Sequence, residues 1–306
     1  MDITLRHYNH SSDYEDVGHL LVRTYATTAS HINWLQPRWE YMHYHPLIER
    51  VDVSRIGLWE TKGEIVGVVH PEHHMGTAYF EVDPEYAAMK REMLAYAEEH
   101  LSAATNEDSE LRIYINDRDV EFQQIAAERG YEKGGGCEPM SQFIISDPFP
   151  TISLPDGYRL KSLAEDTDLR KVHRVLWRGF DHGQEPPENG IGEREFMQSA
   201  PNFRKDLNVV VEGPDGNFVS YCGMWFEPVN GIAYVEPVAT DPDYRRGGLG
   251  RAAVLEGVRR CGEMGATVAY VGTAKPFYLS LGFRQLYNRS VWRREWTQRP
   301  ARRTQS

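Results

Sequence analysis

The chain reads as an α/β (α+β) protein of two related domains, and three observations carry that reading. Its 306 residues exceed one ordinary domain and suit two. A weak pattern occurs twice, at an offset of 152 to 158 residues. In the second copy a strand, a glycine-rich turn and a helix follow one another without a break. Residues 232 to 240 are rich in β-branched and aromatic types, Asp241-Pro242-Asp243 has turn chemistry, and Val254, Val258 and Cys261 recur at helical spacing.

The repeat can be followed along the chain. Ile3-Thr-Leu-Arg6 corresponds to Tyr158-Arg-Leu-Lys161, each an opening strand ahead of an acidic stretch and a helix. Ala78-Tyr-Phe-Glu81 corresponds to Ala233-Tyr-Val-Glu236, and Asp-Pro-acid-Tyr follows both. Arg129-Gly-Tyr131 answers Leu281-Gly-Phe283. Three prolines between Ser146 and Gly157 suit an extended connector. The expected division is domains over 1–145 and 158–296, a linker over 146–157 and a flexible basic tail over 297–306.

Composition excludes several classes. A 41% hydrophobic and 26% charged chain is ordinary for a soluble globular protein. No run of ~18 apolar residues marks a membrane span, and Met1-Asp-Ile-Thr-Leu-Arg6 is no signal peptide, so a cytoplasmic protein without membrane contact is expected. A net charge of -11 argues against nucleic acid and favours a cationic or neutral acceptor. Cys137, Cys222 and Cys261 are too few and too scattered for a disulfide framework or zinc site. Ten of twelve histidines fall in the first hundred residues, among them His43, His45, His70, His73 and His74, without metal-ligand spacing; loop and surface positions are expected, and no metal. Arg289, Arg293, Arg294, Arg299, Arg302 and Arg303 crowd the C-terminus, as a solvated tail or a phosphate- or partner-binding patch.

The glycines at 247, 248 and 250 mark the candidate site. Lacking Cβ atoms, they take positive φ and let successive N–H groups at a helix start converge on an anion such as a pyrophosphate. A bare strand-to-helix turn is the alternative, and the dinucleotide fingerprint G-x-G-x-x-G is not met. Some thirty residues on lies a second strand pattern, Ala266 to Val271, followed by Ala274-Lys-Pro-Phe-Tyr-Leu-Ser-Leu-Gly-Phe283.

Together these residues resemble the GNAT superfamily of N-acetyltransferases. Arg245-Arg-Gly-Gly-Leu-Gly250 matches its acyl-CoA loop, and Phe277-Tyr278 ahead of Gly282-Phe283 matches its second signature. The resemblance covers roughly 158 to 290. Val271 stands where many members carry asparagine, which leaves the anchoring of the Tyr278 helix open. The resemblance implies a tandem protein. Each domain would hold a central mixed, mostly antiparallel twisted sheet flanked by helices, with a splayed strand pair as the acyl-CoA cleft. The first copy is expected to be degenerate. Ala87-Ala-Met-Lys-Arg-Glu92 replaces the glycine loop, and Ala126 stands at the position of Tyr278.

The resemblance further implies acetyl-CoA as co-substrate and a small-molecule primary amine as acceptor, by direct attack in a ternary complex. Val238, Ala239 and Thr240 would offer backbone groups to the pantetheine arm. Arg245, Arg246, Gly247, Gly248, Gly250 and Arg251 would hold the phosphates, with a solvated helix face as the alternative for Arg246 and Arg251. Tyr278 would protonate the leaving thiolate, unless it is a core tyrosine. Glu236, on one strand face with Tyr234 and Val238 by the period of two, would be a general base or a group that satisfies a strand bent at Pro237. Acceptor contacts are expected from Trp177, Phe180 and His182. A protein or peptide acceptor, a longer acyl donor, and a non-catalytic acyl-CoA sensor are the competing readings; a dinucleotide-dependent oxidoreductase lacks its fingerprint. A monomer or homodimer is expected, with Ser290-Val-Trp-Arg-Arg294 available to pair across subunits.

Overall fold

The computed structural model describes residues 2–27, 32–105 and 108–297. The first half runs β1 (Thr4–His7), α1 (His10–Thr27), α2 (Gln36–Tyr44), β2 (Gly57–Thr61), β3 (Glu64–His70), β4 (Thr77–Val82), α3 (Lys90–His100), β5 (Ala103–Thr105), β6 (Asp108–Asn116), α4 (Val120–Glu128) and β7 (Glu132–Ile144). The second runs β8 (Arg159–Ser162), α5 (Leu169–Gly179), α6 (Ile191–Gln198), β9 (Val209–Glu212), β10 (Phe218–Glu227), β11 (Ile232–Thr240), α7 (Leu249–Glu263), β12 (Val268–Val271), α8 (Pro276–Leu281) and β13 (Arg284–Thr297).

Two compact units result, and neither is one continuous stretch. The first takes the described residues up to Leu35, Leu47–Glu138 and those from Tyr287 on; the second takes Gln36–Pro46 and Pro139–Leu286. In the first unit the strand order is β1-β2-β3-β4-β6-β13, antiparallel except for the parallel pair β4–β6. Strand β3, Glu-Ile-Val-Gly-Val-Val-His, is buried at every position after its first, as a strand covered on both faces must be. Its core is built from Trp59, Val69, Phe80, Met93, Leu111 and Phe122. Ser290–Arg294 pairs residue for residue with Ile115–Leu111 of the same chain. That segment, available by its sequence to pair across subunits, pairs instead within the chain. Arg293 binds Glu110, Arg294 binds Glu98, and buried Arg289 donates to the Asn33 carbonyl at 3.0 Å, so these three arginines brace a strand. Arg299, Arg302 and Arg303 lie outside the described residues.

The second unit orders β12-β11-β10-β9-β8, with the Ser141–Ile144 end of β7 antiparallel on β12. Here too one pair, β11–β12, is parallel. Side chains alternate between two cores: Tyr221 packs with Val172, Val175 and Leu176 of α5, while its neighbour Cys222 packs with Val254 and Val258 of α7. Helix α5 starts where the Asp168 carboxylate accepts the Arg170 and Lys171 amides, at 2.9 and 3.3 Å. It buries the i, i+3, i+4 set of valines and leucine. Helix α2, although drawn from the first fifty residues, belongs to this unit and lies against α6, β10 and β11. The Glu40 carboxylate accepts the Asn202 amide and side chain, both at 2.7 Å.

Candidate active site

Strands β11 and β12 part soon after they meet. Their register covers Ile232–Tyr234 against Val268–Tyr270. Strand β11 then bends, with a register shift on β10 between Cys222 and Met224 and a cis peptide at Glu236–Pro237. Gly223 is required there: a Cβ would stand 2.5 Å from the Glu236 carbonyl oxygen. The bulge breaks the period of two. Val235 and Val238 both pack toward the α7 core, while Tyr234 faces Trp225 across the strands. The expectation that Tyr234, Glu236 and Val238 share one face fails for that reason.

Backbone directions follow from one hydrogen bond. The Asp241 amide donates to the Val219 carbonyl at 3.0 Å, so by antiparallel alternation Ala239 turns its N–H and C=O toward Tyr221. The Ser220 hydroxyl adds a bond to the Ala239 carbonyl at 3.1 Å. Val238 and Thr240 therefore aim their backbone groups away from β10, into the splay, and Ala239 does not.

That splay opens a cleft of about 500 Å³, lined by Val238 and Thr240, by Arg245, Arg246, Gly248, Gly250 and Arg251, and by Tyr278. Gly247 is on the loop but outside the lining. Arg246 and Gly248 have φ of 70° and 79°, the left-handed turn that points successive amides one way, and α7 begins at Leu249. Gly250 packs so closely that a Cβ would meet the Thr240 hydroxyl at 2.9 Å and the Phe277 ring at 3.4 Å. The arginines separate in role. Arg245 donates to the Thr240 carbonyl (3.1 Å), the Gly179 carbonyl (2.9 Å) and Asp181 (3.0 Å), and Arg251 to the Ser280 carbonyl (3.4 Å). Arg246 makes no hydrogen bond among the described residues and borders the cleft.

A buried lock supports this loop, and sequence reasoning did not foresee it. Arg178 on α5 grips Asp241 bidentately at 2.6 and 3.0 Å and Asp243 at 2.6 Å, and also meets the Gln184 side chain. Burial alone would raise the Asp241 carboxyl; the Arg178 bonds outweigh it and hold Asp241 below the usual carboxylate range. The Asp-Pro-Asp-Tyr run is therefore half of a clamp whose other half lies on a helix 63 residues away.

Tyr278 sits on α8, a helix begun by Pro276, with the Thr273 hydroxyl accepting the Lys275 amide at 3.2 Å, and closed by Gly282 at φ 110°. These caps hold the helix, while Val271, at the position where many family members carry asparagine, ends strand β12 ahead of it. The Tyr278 ring meets Phe277 and Phe283 edge-on. Burial raises its phenol above the ordinary value, and the negative charge of Glu236 adds to the rise. The Glu236 carboxylate thus acts electrostatically on the Tyr278 hydroxyl. Trp177, Phe180 and His182 lie elsewhere. Their rings cluster at the end of α5, where Gly179 fits against Ala239 and the Thr240 amide and Arg245 holds Asp181. This is the phosphate-loop end of β11, some four residues or ~13 Å from Glu236, and none of the three lines the cleft.

The first unit closes the corresponding place. Strands β4 and β6 also part after Thr77 and Ala78. A 3-10 turn, Pro84–Met89, runs directly into α3, and buried Lys90 is ion-paired with Asp119 and lies over the Phe122 ring. The cavity bordered by Tyr79, Glu81, Tyr114 and Phe122 has room for about 10 Å³, roughly one water. The helix ends match: the Tyr131 amide donates to the Ala126 carbonyl (3.0 Å) as the Phe283 amide does to the Tyr278 carbonyl (3.2 Å).

No group of His, Cys, Asp and Glu able to hold a metal occurs among the described residues, and none of their helices is long and apolar enough to cross a membrane. Residues 169–283 match the model of the Acetyltransferase (GNAT) family. A mycothiol acetyltransferase of Saccharomonospora viridis is 26% identical over 234 residues, 71% of this chain and 69% of that protein. A GCN5-related N-acetyltransferase from Sphaerobacter thermophilus shares the fold with a TM-score of 0.65 at 15% identity, over 97% of this chain and 96% of its own. A tandem GNAT protein from the clavulanic acid biosynthesis pathway does so with a TM-score of 0.63 at 15% identity, over 96% and 98%. The chain is an acetyltransferase, and its residues 169–283 form a domain of the GNAT family.

Proposed function

We propose that this enzyme moves the acetyl group of acetyl-CoA to a primary amine of a small molecule, at a single centre in the second unit. The observation that carries the reading is one cleft bordered by the loop at Arg246, Gly248 and Gly250 and by Tyr278, whose hydroxyl feels the charge of Glu236. The α7 amides and Arg246 hold the pyrophosphate; Arg245 and Arg251 shape its cradle. Val238 and Thr240 bond the pantetheine arm as an added strand would. The Val238 amide polarises the acetyl carbonyl.

The neutral amine nitrogen attacks that carbonyl carbon and loses a proton to Glu236, directly or through water, as the C–N bond forms. The C–S bond breaks, and the departing thiolate takes the Tyr278 proton. A phenol held protonated by burial can still donate to a sulfur on which negative charge develops, because its hydrogen bond strengthens with that charge. The first unit is a degenerate copy without a second centre. The name of the Saccharomonospora viridis relative supports small-molecule chemistry over a protein acceptor. Three unpaired cysteines agree with a reducing, cytoplasmic setting. A panel of small amines and of peptides, followed by release of free CoA thiol, tests the acceptor class. Turnover confined to small amines is expected; turnover confined to peptides overturns it.

A further inference from the structure

We infer that helix α2 and Trp225 are positioning elements of the catalytic centre, fixing Glu236 from the side opposite α7. The inference rests on the reading of Glu236 as the base. Trp225, 2% exposed, donates its indole Nε1–H to the Glu236 carbonyl oxygen at 2.8 Å. That carbonyl stands at the bulge, with the cis Glu236–Pro237 peptide on one side and Gly223 tight against it on the other. The indole thus ties the Glu236 backbone at the bulge to the face of the sheet opposite α7.

The indole is itself held by two edge-on rings, Phe203 at 5.8 Å and Tyr41 at 6.0 Å. Tyr41 comes from α2, and α2 is fixed in turn by the buried Glu40 carboxylate on Asn202. A chain of contacts thus runs from Asn202 through Glu40 and Tyr41 to Trp225 and the Glu236 backbone. Every link lies within the second unit. Residues 36–46 stand apart in sequence from the family-matched domain at 169–283, yet they complete the setting of its proposed base.

The experiment is a double-mutant cycle of Trp225→Phe with Glu236→Gln in the full chain, with the acetyl-CoA dissociation constant as the fold check. Trp225→Phe keeps the ring and drops the N–H. It is expected to lower kcat about tenfold, the scale of one lost hydrogen bond, and to move the acid limb of the pH–rate profile. Acetyl-CoA affinity should hold, and Trp225→Phe should add nothing in the Glu236→Gln background. Tyr41→Leu, a milder change, is expected to give a smaller loss of the same kind. Equal losses in both backgrounds overturn the inference, because the indole then acts on the fold at large. A wild-type rate for Trp225→Phe beside a slow Glu236→Gln overturns it while sparing the base. A wild-type rate for Glu236→Gln removes the base and the inference together.

Discussion

Glu81 and Glu236 occupy the same place in the repeat, each the fourth residue of an Ala-Tyr-x-Glu strand segment, and their surroundings have become opposites. Glu81 is 1% exposed, accepts the Trp34 amide at 2.5 Å and stands 3.5 Å from the buried His70 ring. Glu236 is half-exposed, and its charge reaches the Tyr278 hydroxyl. The difference begins with chain length. Strand β4 has six residues and β11 has nine, and the added ones fall between the glutamate and the Asp-Pro turn. They bring the bulge and the two residues, Val238 and Thr240, whose backbone faces the cleft. The same splay holds about 10 Å³ in the first unit and about 500 Å³ in the second. The strand pattern founds the fold; a short insertion and three glycines make room for a ligand.

The strongest way to break the contrast is to give the second unit the first unit's residue. Glu92 corresponds to Gly250, so Gly250→Glu puts a carboxylate where phosphates are to bind. Like charge in close contact costs several kcal/mol, and a roughly 1000-fold loss of acetyl-CoA affinity is expected in a calorimetric titration. Normal affinity would move the phosphates away from this loop.

Next come the two clamps. Arg178→Met leaves the buried Asp241 carboxylate with only the longer Arg174 contact, 3.3 Å, as its ion pair and should cost about 3 kcal/mol of unfolding free energy. The counterpart, Arg23 to Asp83 at 3.3 Å, is solvent-exposed, and Arg23→Met should cost less than ~1 kcal/mol. Denaturant unfolding of both variants checks the ordering, and equal losses would contradict it. Because Asp241 is held below its ordinary 3.8, its stabilising contribution is full above that value. It is lost as pH falls through the lowered folded value, and Asp241→Asn should flatten that acid limb.

Tyr278→Phe should lower kcat roughly 100-fold, the scale of a lost general acid, with acetyl-CoA affinity unchanged. The reverse exchange, Ala126→Tyr, should add no activity, since its surroundings lack a cleft. A Tyr278→Phe enzyme at full rate would return that residue to the core. Burial keeps the wild-type phenol protonated at alkaline pH, so no fall in rate from its ionisation is expected between about pH 7 and 10. Loss of rate near pH 9 that vanishes in Tyr278→Phe would argue otherwise.

Local pattern explains which parts of this were legible in the sequence. The glycine loop, the strand before it and the Tyr278 helix are contiguous, and their turns and periods read directly. What could not be read joins distant residues: Arg178 with Asp241, Glu40 with Asn202, Ser290–Arg294 with β6. None of these pairs leaves a period or motif, because each depends on how the sheet is ordered. Pro237 marked a bend in β11, yet the direction of the Ala239 amide required the register with β10. The placing of Trp177, Phe180 and His182 at the loop end of β11 was not legible for a related reason: a loop's composition says nothing about which end of a strand it meets.

Stoichiometry tests the central claim of one open and one closed copy most directly. Titration of the full chain with acetyl-CoA by calorimetry should give one site per chain, and none in Gly250→Glu. Two sites per chain, or one that survives Gly250→Glu, would contradict the account, because the first unit would then hold a ligand in a space the size of a water.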